Sequence, residues 1–183
     1  MISSVAVRWH FIKKYRNPHF TDELTGLKNS NGLKSFLENL ISNDSTKTHP
    51  VSLVLIDIDD FNKLNLELGY INADKILAKV GEYLKGDSRS TDTTFRYHQK
   101  GDEFLVVLTK TTQSEAKTAA ERKRKDIEEL LIQLESKTYS VKVSCGITEL
   151  KKIDSIESLL LRTENALMEA KRQLGKNCTK TII

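Results

Sequence analysis

The sequence predicts an α+β domain with a βαββαβ order, in which a central, mainly antiparallel sheet is flanked by helices. Three observations predict it. Residues 51–56 are nearly continuously apolar, as in a strand buried on both faces. Arg96-Tyr97 and the run Phe104-Leu105-Val106-Val107-Leu108 flank a turn containing Gly101, as in a β-hairpin. Ile76, Leu77, Val80 and Leu84 recur at helical spacing over roughly residues 70–85.

The remaining elements follow in order. Val5, Trp9, Phe11, Ile12 and Tyr15 interleave with Arg8, Lys13, Lys14 and Arg16, giving a basic amphipathic helix over residues 2–17 that ends before Pro18. It is either a connector to a partner or membrane surface, or a helix packed on the domain or on its own copy. Residues 1–20 form this connector and 21–183 the domain. Thr21 to Leu27 is a turn, and Asn29 or Ser30 caps a helix over about 31–42. His49-Pro50 precedes the first strand, about 51–57. The hairpin strands span about 93–98 and 103–109. Ser114 is the expected N-cap of a long charged helix reaching about residue 135. A strand over 139–148 follows, then a helix from Asp154 or Ser155 to about 173, stopped by Gly175. Thr179 to Ile183 closes the chain as a short strand. This order contains the ferredoxin-like βαββαβ unit.

Composition narrows the function only coarsely. The 183 residues are 38% hydrophobic and 30% charged, with a net charge of +4, which suits an anionic small molecule as well as a polymer. No arginine–aromatic stripe marks a nucleic-acid reader. The two cysteines, Cys145 and Cys178, lack metal-ligand spacing and fit a reducing cytoplasm. No apolar run approaches the roughly 20 residues needed to cross a bilayer. Arg8 and His10 interrupt Val5-Ala6-Val7, so no secretory leader is expected.

Two strand ends carry carboxylates: Asp57-Ile58-Asp59-Asp60 and Asp102-Glu103. A shared divalent-cation site is the chemistry this pattern favours. A carboxylate capping a turn and a solvated acidic turn are the plainer alternatives.

Several separated segments together resemble the GGDEF domain, the diguanylate cyclase family of bacterial signalling. Asp22-Glu23-Leu24-Thr25-Gly26-Leu27-Lys28-Asn29 matches D-x-L-T-G-L-x-N. Residues Asp57 to Asn65 match D-x-D-x-F-K-x-x-N, and Lys100 to Phe104 match the signature in a degenerate KGDEF form. Ser144-Cys145-Gly146-Ile147 is similar to the family's S-x-G-I strand. Ala166 to Lys171, with Gly175-Lys176-Asn177, matches A-L-Y-x-A-K…G-K-N.

The resemblance implies a nucleotidyl-cyclase fold and condensation of two GTP into cyclic di-GMP and two pyrophosphates in a homodimer. It implies Mg²⁺ or Mn²⁺ held by Asp57, the Ile58 carbonyl and Asp102, with Asp102 and Glu103 assisting the attacking 3′-hydroxyl. Asn65 and Asp74 map onto the guanine-reading pair, Lys171 and Lys176 onto the phosphate-gripping cations. Arg89-Ser90-Thr91-Asp92 matches the R-x-x-D pattern of a product-inhibition site. The implied partners are GTP, cyclic di-GMP and an upstream sensory domain or regulatory protein, in a cytoplasmic setting or the cytoplasmic part of a larger protein. The alternative is a domain that binds GTP or cyclic di-GMP without turnover.

The chain departs from the family pattern in places. Lys100 replaces the first signature glycine, and the segment before the signature is two residues longer than the usual R-x. Asn62 stands in place of a lysine, Leu66 of an aspartate, Tyr70 of a histidine and Ala73 of a glycine. Lys63 or Lys100 is expected to compensate for the charge absent at Asn62, so that Lys100→Ala raises the KM for GTP.

Overall fold

A computed structural model describes residues 19–42 and 49–182. The basic helix expected over 2–17 lies outside the described residues. Helix α1 spans Ser30–Ser42, and strand β1 Val51–Ile58. Helices α2, Phe61–Leu68, and α3, Tyr70–Gly86, precede the hairpin of β2, Asp92–Arg96, and β3, Glu103–Thr109. Then come α4, Gln113–Glu129; β4, Ile132–Leu134; β5, Lys137–Tyr139; β6, Val143–Glu149; α5, Ile156–Lys171; and β7, Thr179–Thr181.

The main sheet has the order β2-β3-β1-β6-β7. Its first four strands pair antiparallel, as the βαββαβ order requires, while β7 adds in parallel to β6. Strand β1 is central, and its alternation serves two cores. Val54, Ile56 and Ile58 pack with Phe104, Val106 and Leu108 against Ile76, Val80 and Leu84 of α3 and Ala120 and Ile127 of α4. Leu53 and Leu55 pack with Phe95, Leu105 and Val107 against Leu33 and Leu37 of α1 and Leu159 and Leu167 of α5. The strand therefore reads as continuously apolar because helices cover both faces. Each fully buried leucine contributes about 1.5–3 kcal/mol of transfer free energy.

Several boundaries differ from the sequence expectation. Thr112, not Ser114, caps α4, because Glu115 lies three residues on and completes a reciprocal capping box. That helix ends at Glu129 rather than near 135, and a two-stranded hairpin, β4–β5, occupies the space up to Tyr139. Strand β6 accordingly begins at Val143, not 139. The short helix α2 was not expected; Phe61 buries one side of it. Strand β2 ends at Arg96, and the final helix ends at Lys171, four residues before Gly175 (φ 83°). Asn29 caps α1, its Oδ1 accepting from the Gly32 amide at 3.1 Å, and Ser155 caps α5.

Gly146 explains the S-x-G-I segment. A Cβ at this position would lie 2.2 Å from the Leu167 amide nitrogen, so β6 and α5 touch backbone to backbone. Among the described residues no helix is long and apolar enough to cross a membrane.

Candidate active site

The register of the β1–β3 pair sets the site. Asp57 lies opposite Glu103, and the Ile58 amide donates to the Asp102 carbonyl at 3.4 Å. Residues remote in sequence thus meet where β1 ends and β3 begins. Asp102 closes the hairpin turn and Glu103 opens β3, so both carboxylates stand where the turn enters the strand.

Lys171, in the last turn of α5, points into this place. Its Nζ pairs with Asp57, lies 3.3 Å from the Ile58 carbonyl oxygen and 3.2 Å from Asp59 Oδ1. Burial pushes Asp57 up to about 7, helped by the neighbouring charges of Asp102 and Glu103 and opposed by Lys171. Burial, Asp102 and Glu164 likewise raise Glu103. Burial disfavours the Lys171 ammonium, yet Asp57 and Asp59 hold its pKa above the ordinary value. The pocket is thus short of positive charge, and the chain's own ammonium fills part of the deficit. That donor chemistry, two carboxylates and a carbonyl, fits a hard divalent cation completed by phosphate oxygens. Among the described residues no three His, Cys, Asp or Glu side chains form a ready cage.

The other expected residues lie on the elements that follow. Asn65, in α2, and Asp74, in the first turns of α3, flank Gly69 (φ 75°), whose amide donates to the Asn65 carbonyl at 2.9 Å. Lys176 (φ 50°) pairs with Asp60 at 2.7 Å. Arg89 and Asp92 lie apart, on the rim of a cleft of about 330 Å³ also lined by Lys110, Arg122 and Lys123. Lys63 and Lys100 are both exposed.

The sequence reading did not single out three contributors. Arg96 is buried at 2% exposure, donates to the Gly101 carbonyl and lies 5.2 Å over the Phe104 ring. Its Nε and Nη1 have no hydrogen-bond partner among the described residues. Burial lowers its pKa against the raising fields of Asp22, Asp102 and Asp74, so its charge faces the site. Arg96 closes the mixed strand Asp92-Thr93-Thr94-Phe95-Arg96, so no break in an apolar pattern marked it. Asp59 accepts from Ser144 Oγ at 2.9 Å and from the Asn177 amide at 2.9 Å. Arg124 in turn donates to Asn177 Oδ1 at 2.8 Å. This chain of polar contacts ties α4 and the end of β1 to the Gly175-Lys176-Asn177 loop. Spacing alone gives no hint of Arg124, which lies in a helix dense in charge.

Comparison with known proteins identifies the family. The family model described as "Diguanylate cyclase, GGDEF domain" matches residues 19–177. Diguanylate cyclase A of Treponema denticola is 35% identical over 161 residues, 86% of this chain and 43% of that protein. Diguanylate cyclase DosC of Escherichia coli is 32% identical over 157 residues, 85% of this chain and 34% of that protein. The chain thus spans less than half the length of these relatives. Among solved structures, the coiled coil and GGDEF domain of DgcB from Caulobacter crescentus, in complex with c-di-GMP, superposes with a TM-score of 0.84 at 23% identity, covering 97% of this chain and 93% of that one. The GGDEF domain of PA1120 from Pseudomonas aeruginosa gives 0.80 at 25% identity, covering 88% and 93%. On the family match over residues 19–177 and the identity to these cyclases, the chain belongs to the GGDEF domain family of diguanylate cyclases.

Proposed function

We propose that the domain condenses two GTP into cyclic di-GMP, working as a homodimer with one GTP on each copy. The observation that carries this is the pairing of Asp57 with Glu103 and of Ile58 with Asp102 across two strands. Membership of the family implies a divalent cation; our reading is Mg²⁺ or Mn²⁺, held by Asp57, Asp102 and the Ile58 carbonyl. When bound, it would neutralise phosphate charge and orient the α-phosphate.

The chain's own residues do the rest. Lys171 leaves the carboxylates for the triphosphate, and Lys176 grips the terminal phosphates from its loop. Asp74 accepts from the guanine N1–H and N2–H₂ while the Asn65 amide donates to a ring acceptor, a pattern adenine does not match. Asp102 and Glu103 orient the 3′-hydroxyl of the facing GTP and draw its proton. Burial and the neighbouring carboxylates raise the Glu103 pKa, which makes its ionised form the stronger proton acceptor. The cleft beside Arg89 and Asp92 suits an anionic product, since Arg122, Lys123 and Lys110 share its lining.

Protein incubated with GTP and Mg²⁺ should form cyclic di-GMP, and Asp102→Asn should abolish it. A second reading, a nucleotide sensor without turnover, is favoured by Lys100 in the signature turn. Nucleotide binding with no product supports that reading instead.

A further inference from the structure

We propose that His98 is a positioning residue for Glu103, supplied by the lengthened hairpin turn. The inference rests on the role given to Glu103 above.

The β2–β3 pairing continues one step past Arg96, with the Tyr97 amide donating to the Glu103 carbonyl at 3.0 Å. The added residues therefore fall after Tyr97. The turn closes where the Gly101 amide donates to the His98 carbonyl at 3.2 Å. This geometry folds the imidazole back along the hairpin. Its ring lies against the Tyr97 ring, with centroids 4.4 Å apart and planes tilted by 57°. Its Nε2 lies 3.4 Å from Glu103 Oε2. Among the described residues His98 is the one basic side chain within ion-pair distance of Glu103.

The support beneath the imidazole is itself fixed. The Tyr97 hydroxyl donates to Glu164 Oε1 of α5 at 2.5 Å, and Tyr97 is buried at 6% exposure. The turn is tight as well: a Cβ on Gly101 would approach the His98 Cβ to 3.2 Å. A glutamate otherwise samples several rotamers, and ordering it costs free energy at the moment of reaction. An imidazole braced on Tyr97 stands beside Oε2 beforehand and leaves Oε1 for the substrate hydroxyl. His98 falls within the stretch that makes this turn longer than the usual R-x, so the contact belongs to the longer turn.

The test compares His98→Ala and His98→Gln with wild type, using GTP and Mg²⁺. Glutamine offers a side-chain N–H of similar reach. His98→Ala should lower kcat about tenfold with KM for GTP unchanged, as expected for a misplaced reacting group. His98→Gln should restore most of that loss. An unchanged kcat, a change in KM alone, or a glutamine variant no better than alanine overturns the proposal. The imidazole ¹⁵N resonances of His98 give a readout independent of turnover. They should move in Glu103→Gln; resonances that ignore Glu103→Gln also overturn it. A wild type that makes no product defeats the cyclase reading, whereas an intact cyclase with a silent His98 defeats only this one.

Discussion

The ammonium of Lys171 pairs with Asp57 and approaches the Ile58 carbonyl oxygen to 3.3 Å, so a cation carried by α5 occupies two of the three ligands proposed for the divalent ion. Two cations cannot share those oxygens without repulsion, so Lys171 and the metal compete until a triphosphate draws the lysine away. Lys171→Met should raise the Mn²⁺ affinity of the nucleotide-free protein about tenfold, equivalent to about 1.4 kcal/mol. It should also raise the KM for GTP. Electron paramagnetic resonance titration of Mn²⁺ without nucleotide measures the first effect. An unchanged affinity would mean that the lysine does not guard the site.

Gly146 sits where β6 and α5 meet, and the space for a methyl group there is taken by the Leu167 backbone. Gly146→Ala should destabilise the domain by about 3 kcal/mol or more, because backbone cannot give way as a flexible side chain can. Urea unfolding should show a lower midpoint.

Asp87 pairs with Arg122 and with Lys123, whose side chain is buried at 2% exposure. Burial pushes the Asp87 carboxyl up, but these two cations prevail and hold it below its ordinary value of 3.8. Asp87→Asn leaves the Lys123 charge buried and unpaired and should cost about 3 kcal/mol. A depressed carboxyl stabilises the fold above its unfolded pKa and loses that effect as protons bind to it. The stability gap between wild type and Asp87→Asn should therefore hold from neutral pH down to about 4 and shrink below it. Thermal melts across that range check this.

Burial raises the Cys145 thiol to about 12 and also raises Cys178, which is only partly buried. A thiolate reagent should label native protein slowly at Cys178 and leave Cys145 unmodified until unfolding. Mass spectrometry after timed alkylation gives the order.

The βαββαβ order and both carboxylate clusters were legible because strands that pack on both faces must be apolar throughout, and Val51–Ile56 is. What stayed hidden has physical reasons. The helix Phe61–Leu68 is only eight residues long and is entered through Asp60 in a left-handed conformation (φ 58°), so no serine or threonine cap announces it. The strands Ile132–Leu134 and Lys137–Tyr139 are three residues each, too short for alternation to stand out after a charged helix. Thr112 and Glu115 did carry a capping signal, one that the nearer Ser114 obscured. Arg96 and Arg124 act through three-dimensional neighbours, Gly101 and Asn177, which linear spacing does not bring together.

The most direct test is a crystal soaked with Mn²⁺ and a non-hydrolysable GTP analogue, read by anomalous scattering. One ion peak bound by Asp57, the Ile58 carbonyl and Asp102, with Lys171 turned onto the triphosphate, is the predicted result. A nucleotide bound with no ion between those two strands, and Lys171 still on Asp57, would contradict the account.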